Sequence, residues 1–354
     1  MSKFLNERLK KFAPYVPGEQ PQDKKYIKLN TNESPFPPSA FAMKLAREAA
    51  ANLELYHDPE YKSLLIVAAE KFGVKKENLL FTNGSDETLN YAFAAYCLNG
   101  AKAVFADITY GFYEVFADLY GAEKKIIPLD KELSINAKDY YNAGGTIFIA
   151  NPNAPTGKLL SAKEILEIVK NNPENVVVVD EAYIDFGGES VLPYIEEFDN
   201  LLVVRTFSKS RSLAGARVGF AAANEKLIAD LKAVKYSTNP YNLSRMNAAA
   251  AIGAILDEEY FEANCKAIIK NRELLVKELK DLGFCVLDSA ANFVFASFEG
   301  ICGRVLYQSL KDEGVLVRYF EKPRISPFIR ITVGSEEQIA ALIKATKKVI
   351  KEKL

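Results

Sequence analysis

Five short segments, 79–82, 103–106, 146–150, 176–179 and 201–205, are apolar at nearly every position rather than at alternate ones, and stretches of helical periodicity separate them. A strand that alternates apolar and polar residues buries one face, whereas a strand apolar throughout buries both. Strand and helix text repeated in this way predicts an α/β fold with a mostly parallel central sheet covered by helices. In such sheets the ligand crevice lies outside the carboxyl ends of the strands, so the residues that follow these runs are the first candidates for chemistry.

The flanking text differs. Residues 1–38 are charged and proline-rich, with Pro35, Pro37 and Pro38, and suit an extended arm better than a packed element. Helices are predicted over 225–235 and 242–282, the second long or broken near Asp257. Beyond them, strand-like 284–287, 292–297, 315–319 and 329–333 with helices at 301–312 and 335–352 predict a smaller α+β domain. The chain of 354 residues thus divides into an arm (1–40), a large domain (41–255) and a small domain (256–354). Lys+Arg 45 against Asp+Glu 46 leaves a net charge of -1, which argues against a nucleic-acid or anionic-membrane partner. The four cysteines, Cys97, Cys265, Cys285 and Cys302, lack metal-ligand spacing and read as free thiols in a reducing compartment. No signal-like apolar block opens the chain and no apolar run approaches bilayer length, so a cytoplasmic location is expected.

Two strand ends carry the strongest signal. Asp180 and Tyr183 lie in Val-Val-Val-Val-Asp-Glu-Ala-Tyr, and Thr206-Phe207-Ser208-Lys209 follows the run at 201–205, with Arg217 eight residues beyond the lysine. Standing alone, Asp180 reads as well as a cap on the turn after a buried strand, Lys209 as a solvated charge and Arg217 as a surface ion pair. Together they answer the parts of pyridoxal phosphate. Lys209 supplies an amine for the aldehyde, Asp180 a carboxylate that keeps the pyridine nitrogen protonated, Tyr183 a phenol for the ring oxygen, and Ser208 with Arg217 a grip on the phosphate. Once freed from the cofactor, the same lysine is placed to carry the proton to and from the substrate α-carbon.

Three further strand ends add to this set. Asn83-Gly84-Ser85-Asp86 reads as a tight turn entering a helix, where main-chain N–H groups make an anion site for the phosphate; Ser85 or Asp86 can equally be an ordinary helix cap. Tyr110 can stack on the cofactor ring or simply pack in the core. Asn153, in the loop Asn-Pro-Asn-Ala-Pro-Thr-Gly at 151–157, can donate from its amide to the ring oxygen. His57 is the one histidine, which disfavours a metal site or a serine–histidine triad.

These motifs are similar to those of fold-type-I aminotransferases, and the chain resembles the histidinol-phosphate aminotransferase family from Asn-Thr-Asn-Glu-Ser-Pro at 30–35 to Phe-Ile-Arg-Ile-Thr-Val-Gly at 328–334. The resemblance implies pyridoxal 5'-phosphate as cofactor, Lys209 as the lysine that holds it, Asp180 at the pyridine nitrogen and Tyr183 at the ring oxygen. It gives Ser208, Arg217, Ser85 and Asp86 to the phosphate. It also implies a homodimer in which Tyr56 reaches the phosphate in the partner subunit, and a substrate site made by Arg318 and Arg330 with Tyr15. The family places asparagine directly before Pro-Thr-Gly; here Ala154 stands there, so either Asn153 substitutes or that hydrogen bond is lost.

The function this implies is transamination: glutamate gives its amine and leaves as 2-oxoglutarate, and imidazole-acetol phosphate becomes histidinol phosphate. Guanidinium forks at Arg318 and Arg330 suit both a carboxylate and a phosphate. An aromatic or broad-range aminotransferase is the nearest alternative, since cofactor contacts are the same and pocket contacts alone differ. A phosphothreonine decarboxylase of the same fold is a more distant one; a cofactor-bound regulator would be expected to carry a basic helix-turn-helix, and none is read before residue 41.

Overall fold

The computed structural model describes residues 2–6, 9–10 and 13–353. β1 (Ile27–Lys28) is a short strand in the N-terminal segment. The central sheet is built from β2 (Leu79–Asn83), β3 (Lys102–Ala106), β4 (Glu123–Ile127), β5 (Thr146–Ala150), β6 (Val177–Asp180), β7 (Leu201–Thr206) and β8 (Val218–Ala223), in the order β2-β8-β7-β6-β5-β3-β4. Neighbours from β7 to β4 are parallel, while β8 runs antiparallel to both β2 and β7.

Successive side chains of the central strands enter different cores. Ile147, Ile149, Val177, Val179, Leu201 and Val203 pack on one face; Phe148, Val178, Leu202 and Val204 pack on the other. All are 0–1% exposed. Each such side chain contributes about 1.5–3 kcal/mol when fully buried, so the middle of the sheet is a rigid platform for the residues at its carboxyl edge. The surrounding helices begin at cues visible in the sequence: Ser161 and Glu164 form a reciprocal capping box for Ala162–Lys170, and Asn224 caps Glu225–Thr238.

Two strands of this sheet escape the pattern that reveals the others. β4 reads Glu-Lys-Lys-Ile-Ile with its first four residues exposed, as an edge strand that keeps charge outward. β8 reads Val-Gly-Phe-Ala-Ala-Ala and is buried throughout. Its glycine answers a close approach: a Cβ on Gly219 would stand 2.4 Å from the Ser85 nitrogen.

Past the sheet, the expected long helix divides at Asp257, whose backbone (φ -92, ψ 65) leaves the helical region between Arg245–Leu256 and Glu258–Asp281. β9 (Phe284–Val286), β10 (Phe293–Phe298), β11 (Val315–Leu316), β12 (Arg318–Tyr319) and β13 (Phe328–Thr332) follow. β12, β13, β10 and β9 make a four-stranded antiparallel sheet, and its residues share a second core with Glu258–Asp281, Gly303–Asp312 and Glu336–Lys353. The run at 315–319 therefore splits between two sheets, because β11 pairs in parallel with β1 instead. That pairing, with Leu29 in the second core, ties the N-terminal segment to the C-terminal unit. Among the described residues no helix is long and apolar enough to cross a membrane.

Candidate active site

A cavity of about 340 Å³ lies where the strand ends of the central sheet, the N-terminal segment and the C-terminal unit meet. Ala150, Asp180 and Thr206 bring the ends of β5, β6 and β7 to it; Tyr15 and Asn30 to Glu33 come from the N-terminal segment, and Arg318, Phe320 and Arg330 from the far side.

Lys209 follows β7 by a short turn. Its Nζ donates to the Thr31 carbonyl at 3.3 Å and lies 5.7 Å from the centre of the Tyr183 ring. Burial, and after it the charge of Arg330, push the amine down to about 8. Asp180 closes β6 and is buried, accepting from the Ala182 N–H at 3.1 Å and the Tyr113 hydroxyl at 3.2 Å. Burial raises its pKa to about 7 against the pull of those two hydrogen bonds. Tyr183 stands edge-on to Phe293 and accepts from Asn32 Nδ2 at 3.0 Å.

On the opposite wall, Gly84 takes φ 79 and releases the chain into Ser85–Tyr96, whose first-turn N–H groups have no acceptor within the helix. Arg217 reaches this turn, with Nη2 3.0 Å from Asp86 Oδ2 and Nη1 3.5 Å from Ser208 Oγ. Tyr110 donates to Asp86 Oδ1 at 2.7 Å. The Asp86 carboxylate is thus engaged by Arg217 and Tyr110, so what this residue offers an anion is its main-chain N–H. A Cβ on Gly84 would meet Arg217 Nη2 at 2.4 Å, so glycine keeps the cradle open.

At the outer end, Tyr15 stacks on Phe112 with centroids 4.1 Å apart. Arg318 donates to the Pro17 and Val16 carbonyls at 3.1 and 2.9 Å, fastening the N-terminal segment over the cavity. Arg330 donates to the Asn30 carbonyl at 3.0 Å, stands over Phe293 and Phe320, and keeps a buried Nε without a hydrogen-bond partner. Among the described residues it has no carboxylate partner, a costly state for a desolvated cation unless an anion joins it.

Eleven of the expected residues therefore share one cavity: Tyr15, Ser85, Asp86, Tyr110, Asp180, Tyr183, Ser208, Lys209, Arg217, Arg318 and Arg330. Asn153 does not. Its Nδ2 donates to the Ile108 carbonyl at 3.0 Å and to Thr156 Oγ1 at 3.1 Å, while Oδ1 accepts from Thr109 Oγ1 at 2.8 Å. Both amide hydrogens are spent away from the cavity, on the Ile108 carbonyl and on Thr156, and the next residue, Ala154, lines the cavity in its place. Tyr56 also lies outside the cavity of its own chain, 80% exposed and stacked on Tyr241. Sequence reading missed Thr31, Asn32, Tyr113 and Phe320. The dense polar run Asn-Thr-Asn-Glu ahead of Pro35 was the available signal for the first two, since such residues serve local hydrogen bonding.

Comparison with known proteins agrees with this geometry. A family model for aminotransferase class I and II matches residues 24–345. The chain is 47% identical over 353 residues to a histidinol-phosphate aminotransferase of Brachyspira hyodysenteriae, covering 99% of this chain and 100% of that protein. It is 45% identical over 344 residues to one from Clostridium beijerinckii, covering 97% and 96%. A crystal structure of histidinol-phosphate aminotransferase from Sinorhizobium meliloti in complex with pyridoxal-5'-phosphate superposes with a TM-score of 0.90 at 25% identity, covering 99% of each chain.

Proposed function

The chain belongs to the class I and II aminotransferases, and from that premise we propose that it interconverts histidinol phosphate plus 2-oxoglutarate with imidazole-acetol phosphate plus glutamate, a step of histidine biosynthesis. The cofactor of this chemistry is pyridoxal 5'-phosphate, and the residues present fit it. Asp180 and Lys209, a buried carboxylate and a buried amine with no ion-pair partner among the described residues, and a glycine-lined helix start beside Arg217 are each unsatisfied in a complementary sense.

When bound, pyridoxal phosphate supplies an electron sink for negative charge developing at the substrate α-carbon. Asp180 holds a proton at the pyridine nitrogen, and the Tyr113 hydroxyl holds Asp180 in place. Arg217, Ser208 and the first-turn N–H groups of Ser85 and Asp86 fix the phosphate, while Tyr110 forms one wall. Lys209 would hold the cofactor and would move a proton at the substrate α-carbon; burial, which brings its amine down to about 8, leaves much of it ready to accept one at slightly alkaline pH. Arg330 and Arg318 orient the anionic end of either substrate, and Tyr15 adds a hydroxyl and screens water.

The observation that carries this reading is Arg330, a cation with an unpartnered Nε in the same cavity as the Asp180 and Lys209 pair. It supports a substrate with a carboxylate or phosphate at the outer end. The experiment is a donor panel on protein loaded with pyridoxal phosphate, with 2-oxoglutarate as acceptor. Histidinol phosphate should give the highest kcat/KM. A preference for phenylalanine or tyrosine would assign an aromatic aminotransferase instead, and release of carbon dioxide without any keto acid would assign a decarboxylase.

We further propose a cytoplasmic homodimer. The face bearing Leu53, Leu55, Tyr56 and Tyr241 exposes a run of large apolar side chains, which supports burial against a second copy and delivery of Tyr56 to the phosphate there. The division into an arm at 1–40, a large domain at 41–255 and a small domain at 256–354 belongs to the same reading.

A further inference from the structure

Resting on that reading, we propose that Asn32 is a positioning residue for Tyr183, setting the phenol so that its hydrogen is offered to the cofactor ring oxygen. The argument is one of donors and acceptors. The Asn32 N–H donates to Thr332 Oγ1 at 3.0 Å, and the same hydroxyl then donates to Asn32 Oδ1 at 3.1 Å. With the amide oxygen turned to Thr332, Nδ2 is the atom that faces Tyr183. An amide nitrogen can only donate, so the phenol oxygen accepts from it and its own hydrogen is left for another partner.

Asn32 is well fitted to hold that orientation. It is 1% exposed, and its carbonyl accepts from Asn292 Nδ2 at 3.0 Å. Thr332 lies on β13 and Asn292 just before β10, so the amide is anchored on the C-terminal unit while the phenol belongs to the central one. The two are set relative to each other only when the units are docked.

The arrangement matters more in this chain because Ala154 lines the cavity with a methyl group and the amide of Asn153 is spent on the Ile108 carbonyl and on Thr156. The phenol of Tyr183 is then the side-chain donor that this wall offers to the ring oxygen. A hydrogen bond there favours the ionised oxygen and lowers the pH at which the lysine-bound chromophore titrates.

The test is a pH titration of visible absorbance on the full chain loaded with pyridoxal phosphate. Asn32→Asp, nearly the same shape, replaces the donor with an acceptor that competes for the phenol hydrogen. It should raise the apparent pKa of the chromophore by about one unit, the size of one hydrogen bond. Tyr183→Phe should raise it similarly, and the double variant no further. Asn32→Ser gives the same comparison if the aspartate variant does not fold. Asn32 variants that bind the cofactor yet titrate like the parent, or shifts that add in full to that of Tyr183→Phe, would overturn the inference while leaving the proposed function intact. Failure of the parent to take up pyridoxal phosphate would overturn both.

Discussion

Asp180 and Lys209 stand at the carboxyl ends of two strands that pair in parallel, β6 and β7, a carboxylate and an amine each without an ion-pair partner among the described residues. Burial perturbs both in the directions that favour their neutral forms. A folded protein tolerates two such groups facing one cavity when something that enters it supplies the missing charges, and perturbed groups of this kind cluster at functional sites.

The stability of cofactor-free protein should record the strain at Asp180. Its folded pKa of about 7 lies above the ordinary 3.8, so between those values the folded state keeps a proton that the unfolded state has lost. Stability therefore falls as pH rises through this window and levels off above it. Asp180→Asn should remove that contribution. Thermal melting of apo protein from pH 4 to 8 checks this, and parallel curves for parent and variant would contradict it.

Asn153 is expected to matter for stability and not for the cofactor. Losing its three side-chain hydrogen bonds, two of them buried, in Asn153→Ala should cost about 1–3 kcal/mol. The absorbance titration of the loaded protein should stay unchanged. Denaturant unfolding beside that titration separates the two effects, and a displaced titration would restore the ring-oxygen role to this residue.

Arg330→Ala removes a cation whose Nε lacks a partner. Both half-reactions should suffer, since glutamate and histidinol phosphate each present an anion to it. The loss in kcat/KM should be about 1.5–3 kcal/mol, roughly 10-fold to 150-fold, in each direction. Steady-state kinetics with both donors test this; an effect on one alone would place the other anion at Arg318.

Much of this site is legible in the sequence for a physical reason. Asp180 and Lys209 follow runs apolar at nearly every position, and such strands have one geometry, buried on both faces with their carboxyl ends at a crevice. β4 and β8 were not legible, the first because an edge strand carries Glu and Lys, the second because it is built largely of glycine and alanine, with a close backbone approach at Gly219. Asn32 and Thr31 were hidden differently. Their partners, Thr332 and Lys209, lie 300 and 178 residues away, and no local pattern encodes such a meeting. The turn of the Asn153 amide was not legible either, because spacing alone cannot tell which way an amide in a proline-fixed loop points.

The most direct test of the account is where the cofactor attaches. Protein loaded with pyridoxal phosphate, reduced with borohydride and digested, should yield one modified peptide carrying the label on Lys209, and Lys209→Ala should yield none and show no visible chromophore. Label on a different lysine, or full labelling of Lys209→Ala, would contradict it.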